Sequence, residues 1–294
     1  MAKTQGDTVL EEAEKLWLSG EIQRSREAYR RARLFFHENG DASGEATALT
    51  QLGDLEAETG RLTAAREAYA DARKLHAAEG DQHDQAGLLV RLGGLAHREG
   101  NLEEARQFYA SAREMYDSAS DHSGLGHVAR RLGHLERDQG RQDRALDLYG
   151  EAIELYARAN DTLGQANALK AVAALHRQLG QVDLAHDEYE RALDLYREAG
   201  DALGEASASH GLGHLLDRPG NRTDALRAFD TARHLYAAAG HLRGEAEVLL
   251  DIGRLVAADE PDKARRCFDH ATELARRVGA QALVEDIEGA ARKL

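Results

Sequence analysis

Cysteine is nearly absent from this chain. Cys267 is the single one in 294 residues, so no disulfide can form within it. Only two prolines occur, Pro219 and Pro261. Because proline removes a backbone donor and clashes with the preceding turn, their scarcity leaves long stretches free to be helical. Aromatics make up 5%, and no apolar run approaches the roughly 20 residues that a membrane-spanning helix needs. The opening MAKTQGDTVLEEAEK has no apolar stretch of the kind a secretion signal carries, so a cytoplasmic setting is expected. Cations are the minority sign: the formal charge is −14, which argues against general adhesion to nucleic acid or to an anionic membrane. Enzyme signatures are also missing. There is no HExxH, every recurrent glycine has a turn, cap or helix contact to explain it, and Cys267 has no fixed His or Asn arrangement beside it. The expectation is a protein with no catalytic residues, no cofactor and no metal.

What the chain has in abundance is itself. The stretch 41–80, DASGEATALTQLGDLEAETGRLTAAREAYADARKLHAAEG, returns at forty-residue intervals. Gly60 recurs as Gly100, Gly140, Gly180 and Gly220, and Leu52-Gly53 recurs as Leu92-Gly93, Leu132-Gly133, Val172-Ala173, Leu212-Gly213 and Ile252-Gly253. A fixed period of this size means stacked supersecondary units that contact their neighbours. Within the unit, Asp41 suits a helix N-cap, and Ala46, Leu49, Leu52, Gly53 and Leu55 follow at helical spacing. Gly60 suits the left-handed residue that ends a helix. A second helix from about Leu62 puts Ala65, Tyr69, Ala72 and Leu75 on one face, and Gly80 closes it. The chain is therefore expected to be all-α, with seven helical hairpins at 1–40, 41–80, 81–120, 121–160, 161–200, 201–240 and 241–279. A final helix at 280–294, carrying Leu283, Ile287 and Ala291 on one face, should cap a single array over 1–294. The first hairpin has Glu12 where later ones have Leu52 or Leu92, which suits an exposed end. Its first five or six residues should fray, and both prolines should fall in turns inside hairpins.

Leu49, Leu52-Gly53, Gly60, Ala65, Tyr69 and Ala72 resemble the tetratricopeptide repeat (TPR) signature. The forty-residue period is similar to that of Pins-type spindle-orientation adaptors and of repeat arrays in bacterial signalling ATPases. The resemblance implies a right-handed superhelical solenoid that binds proteins or peptides. It also implies that the first helix of each hairpin lines a concave groove, at positions matching Thr47, Thr50, Asp54, Ala57 and Glu58.

Those positions carry an uneven charge. The first two repeats offer Asp7, Glu14, Asp54 and Glu58 without a cation. Later repeats offer Arg98, Arg130, Arg137, Lys170, Arg177, Arg218 and Arg254 against Asp138, Asp217 and Glu247, with His97, His127, His134, His210 and His214 between them. Asn167 is the groove asparagine of the central repeats. A cationic groove in an acidic chain points to an acidic protein or peptide segment as partner, because concave walls focus the field. Arg130 and Lys170 resemble the cationic element of the carboxylate clamp of chaperone-binding TPR domains, but His134 and Ala174 stand where that clamp has Asn. The competing explanation is that these cations pair with acids of adjoining helices. Histidines with an ordinary pKa of about 6.5 would charge below neutrality and tighten an acidic ligand. Three functions follow: an interaction scaffold, favoured as a monomer; a regulator whose shape responds to a peptide; and, remotely, a metal site on His210 and His214. These two histidines are four apart on a helix, yet His127 and His134 lie two repeats away. The pair therefore reads as groove lining without metal. All nine tyrosines occupy two repeat positions, as packing predicts and a base-stacking platform does not.

Overall fold

Residues 4–294 are described by a computed structural model. Fifteen α-helices and no strand occur among them. The first three hairpins pair α1 (Gln5–Leu18) with α2 (Ile22–Glu38), α3 (Ala42–Glu58) with α4 (Leu62–Glu79), and α5 (Gln82–Arg98) with α6 (Leu102–Ser118). Next come α7 (His122–Asp138) with α8 (Gln142–Arg158), and α9 (Thr162–Gln178) with α10 (Val182–Ala199). The last two are α11 (Ala202–Leu216) with α12 (Arg222–Ala238), and α13 (Leu242–Val256) with α14 (Pro261–Arg277), before the final α15 (Gln281–Ala291). None of these helices is long and apolar enough to cross a membrane.

Two compact units divide the chain: Met1–Trp17 with Ile22–Gly164, and Leu18–Glu21 with Gln165–Leu294. In the first unit each second helix packs on the next first helix, α2 on α3, α4 on α5 and α6 on α7. In the second unit α10 packs on α11, α12 on α13 and α14 on α15.

Glycine and aromatic positions explain one another. A Cβ on Gly133 would lie 2.5 Å from Tyr149 Cε1, and one on Gly53 or Gly93 would strike Tyr69 or Tyr109 equally hard. So the first aromatic series fills the space between the two helices of its own hairpin, and in these repeats glycine leaves the room; Ala13 and Ala173 stand at the matching position opposite Tyr29 and Tyr189. The second series reaches forward to the next hairpin, since a Cβ on Gly124 would lie 2.3 Å from Tyr116 Cδ1 and one on Gly164 2.2 Å from Tyr156 Cδ1. The backbone N–H groups of Gly44, Gly124, Gly164 and Gly204 also donate to the capping carboxylates of Asp41, Asp121, Asp161 and Asp201, at 2.7–3.0 Å. One Asp-x-x-Gly motif thus starts a helix and makes the seat for an aromatic ring. Between hairpins, Ser120 and Asn160 take the left-handed conformation with φ 54 where other repeats use glycine.

Three details depart from expectation. Gln5 and Gly6 are helical, because Thr4 Oγ1 accepts from Asp7 N–H at 3.1 Å and Asp7 Oδ2 accepts from Thr4 N–H at 2.8 Å, a reciprocal cap. The rest of the fraying expectation falls on residues 1–3, outside those described. Pro261 is the first residue of α14, where its missing N–H is harmless, whereas Pro219 does sit in a turn. On α15, Val284 joins Ile287 as a buried residue, packed with Leu274 and Ala275 of α14, while Leu283 and Ala291 are partly buried.

Candidate functional site

In the first unit, the faces of α3 and α5 line a cavity of about 400 Å³ that includes Thr47, Thr50, Gln51, Asp54 and Arg91. Glu14, Trp17 and Asp84 also reach it. Arg91 is held by Asp54 at 3.0 Å. Two helices further on, α7 carries Arg130, Arg131 and Arg137 together with His127 and His134. His127 and Arg131 are four apart, as are Arg130 and His134, so both pairs lie along one side of the helix.

Arg130 and Arg131 are neighbours in sequence and, like Arg177 further on, have no acidic partner among the described residues. No carboxylate among the described residues lies within 4.0 Å of either. Arg131 Nε donates to His127 Nε2 at 3.4 Å, and Arg130 Nη1 faces His134 Nε2 at 3.5 Å. Arg130 Nε is buried with no acceptor, and the buried Tyr109 hydroxyl has no partner either. Burial, then the neighbouring Arg130 charge, push the Arg131 guanidinium below its ordinary range. Burial pushes up the hydroxyls of Tyr109, Tyr149 and Tyr156, and all three are pulled down by the Arg130 charge, so this cation stands among three phenols.

His127 and His134 do not behave as the sequence leads one to expect. Burial, then the charges of Arg130 and its neighbours, bring His127 down to about 3 and His134 to about 2. Both imidazoles stay neutral at pH 6, so they cannot tighten an acidic ligand there. The Tyr149 hydroxyl, 2.8 Å from His134 Nδ1, completes the contacts of that ring.

Several other expected groove cations are already paired. Arg137 meets Asp138 at 2.7 Å, and His97 meets the other oxygen of the same carboxylate at 3.2 Å. Arg98 Nη1 donates to the Ala57 carbonyl at 2.7 Å, closing the end of α3.

In the second unit, Asn167 accepts from the Tyr196 hydroxyl at 2.9 Å. Lys170 Nζ donates to Ser207 Oγ at 3.1 Å and lies 5.5 Å from the Tyr196 ring centre. Arg177 has a buried Nε without acceptor and no carboxylate within reach among the described residues. Arg218 stands in the exposed turn beyond α11 rather than on its face. Arg254 is drawn to Asp286 at 2.5 Å and lies 3.6 Å from Asp251. His210 and His214 both meet Asp251 Oδ2, at 2.8 and 3.2 Å. Burial pushes the Asp251 carboxyl up, but the hydrogen bonds from these histidines outweigh it and hold the group well below the usual carboxylate range.

Three functional residues escaped the sequence reading, and they share one repeat position. Arg91, Arg131 and Asp251 all match Gln51. That position is four after Thr47 and three before Asp54, so a helix of 3.6 residues per turn puts it on the same face. The spacing rule would have found them.

A family model described as tetratricopeptide repeat matches residues 84–158 and 164–238, about half of the chain. No curated protein matches the chain in sequence. Among solved structures, the fold is similar to the Rap conjugation gene regulator of the plasmid pLS20 in complex with a peptide. There the TM-score is 0.67 and the identity 15%, over 92% of this chain and 74% of that one. A Rap protein complexed with Competence and Sporulation Factor is similar at TM-score 0.66 and 14% identity, over 100% of this chain and 97% of that one. A STAND signal-transduction ATPase with a tetratricopeptide repeat sensor, from Pyrococcus horikoshii, matches at TM-score 0.62 and 14% identity. It is matched over 92% of this chain, which spans 44% of its length.

Proposed function

Because the chain belongs to the tetratricopeptide repeat family, we propose that it is a non-catalytic interaction scaffold whose α7 face holds an acidic peptide segment of a cytoplasmic partner. The observation that carries this reading is the pair Arg130 and Arg131, adjacent on α7 and left without any carboxylate among the described residues. Two guanidinium groups kept apart from acids, in a chain of −14, repel one another, and an incoming carboxylate relieves that repulsion. The guanidinium N–H groups of these half-buried arginines supply donors for its oxygens. A nucleic acid is disfavoured as ligand, since the tyrosines that would stack bases are buried in packing. The peptide bound in one of the similar folds supports the choice of a peptide. That fold is named a gene regulator, which favours a second reading in which the peptide changes the protein's shape; small-angle scattering with and without ligand separates a scaffold from such a regulator.

Titration of a fluorescent Glu-rich peptide at increasing salt tests the proposal. Affinity should fall steeply as ionic strength rises, because screening acts within about 8–10 Å at physiological salt. Binding that is insensitive to salt overturns it.

A further inference from the structure

We infer that His210, His214 and Asp251 form a binding site for one borderline divalent cation of the Zn²⁺ or Co²⁺ type, independent of any peptide at α7. His210 and His214 are one helical turn apart on α11, with ring centres 4.7 Å apart and planes 32° from parallel. Both rings rest edge-on against Phe229, at 5.7 and 5.3 Å, which fixes their orientation. Asp251 comes from α13 of the next hairpin and places Oδ2 between the two Nε2 atoms, at 2.8 and 3.2 Å. The three ligand atoms lie within 4.8 Å of one another. Metal–ligand bonds of about 2.0–2.1 Å at tetrahedral angles separate ligand atoms by roughly 3.3 Å, so only small side-chain movements admit the ion.

The surroundings suit a metal as well as the ligands do. His210 and Asp251 are 16% and 17% exposed, and His214 is 37% exposed. The site is thus walled by Phe229 and open to solvent on one side. Arg254 Nη1, 3.6 Å from Asp251 Oδ1, steadies the carboxylate from behind. Two imidazoles and one carboxylate favour Zn²⁺ or Co²⁺ over Mg²⁺ or Ca²⁺, which prefer all-oxygen shells. Three protein ligands leave a fourth position for water. A second group, His76 with Asp81 and Asp84, is a poorer candidate. His76 Nδ1 is 3.7–3.8 Å from the carboxylates, and Asp81 is already engaged in capping α5.

The full chain, stripped with a chelator, is titrated with Zn²⁺ by calorimetry and with Co²⁺ by absorption in excess Mg²⁺. One site should appear, with Co²⁺ giving visible bands of imidazole–carboxylate coordination. His214→Ala and Asp251→Asn should weaken Zn²⁺ by more than the about 10–100-fold that follows loss of an outer-shell partner. His76→Ala should leave it unchanged. Absence of Zn²⁺ binding or of Co²⁺ bands in the unaltered protein overturns the inference, whatever the variants do. So does binding that survives in His214→Ala and is lost in His76→Ala.

Discussion

His127 and His134 show how strongly burial, with cations beside it, can reset a side chain. Each is removed from water beside guanidinium groups, so protonation is opposed twice, by lost hydration and by like charge. In the unfolded chain both return to about 6.5. Between that value and about 3 the unfolded state holds more protons, so stability falls as pH falls through this window. A His127→Gln, His134→Gln double variant should therefore lose less melting temperature between pH 7 and pH 5 than the parent does. Equal losses would mean that the two rings are not buried as described. Glycines offer a second residue-scale test. Gly133→Leu drives side-chain atoms into Tyr149 and should cost about 1–3 kcal/mol by overpacking. Gly140 has φ +74 and nothing within 4 Å of an added Cβ, so Gly140→Asn should be mild, as Asn160 already adopts that conformation. Thermal melting that ranks the two variants the other way would contradict the packing. At this scale the sequence was only partly legible. His127 and Arg130 could be picked from the repeat, but whether a cation is paired depends on acids brought in from other helices. Asp286 for Arg254 and Asp251 for His210 are 32 and 41 residues away.

Helices and their ends were far easier to read, because capping and periodicity are local. Asp41 predicts the start of α3, and Gly60 and Gly80 predict the stops after α3 and α4. What escaped was the double use of the Asp-x-x-Gly glycine, since its aromatic partner lies on the helix before it. The buried ion pair that joins α2 to α3 escaped too. Arg26 and Glu56 are 4% and 2% exposed, with contacts of 2.7 and 3.0 Å, and nothing in a heptad-like pattern announces a charge placed in the core. The last element carries its own prediction. Val284 and Ile287 of α15 cover Leu274 and Ala275, so deleting 281–294 should expose the apolar face of the final hairpin. Nearest-neighbour stability confines the damage: the α13–α14 hairpin should fray or the protein aggregate, while hydrogen exchange in α3 to α8 stays protected. A truncated chain that remains monomeric and melts unchanged would show that α15 is not a cap.

For the whole molecule, the question is why a chain of −14 keeps two arginines side by side without an acid. Acids are plentiful and pair with many of the other cations, among them Arg91 with Asp54, Arg137 with Asp138, and Arg254 with Asp286. On the proposed function, Arg130 and Arg131 await a carboxylate from a partner. Periodicity foretold the hairpins, and the resemblance of Leu49, Leu52-Gly53, Gly60, Ala65, Tyr69 and Ala72 to the tetratricopeptide signature foretold the family; the sequence also suggested an acidic ligand, but not which cations are paired. Charge reversal tests this most directly. Binding of a labelled Glu-rich peptide is compared for the parent, for Arg130→Glu with Arg131→Glu, and for Arg73→Glu with Lys74→Glu on the exposed side of α4, helicity being checked in each. Two charged hydrogen bonds at about 1.5–3 kcal/mol each predict at least about a 100-fold loss for the first pair, with little change for the second. Equal effects of the two reversals, or full affinity in the Arg130 and Arg131 variant, would contradict the account.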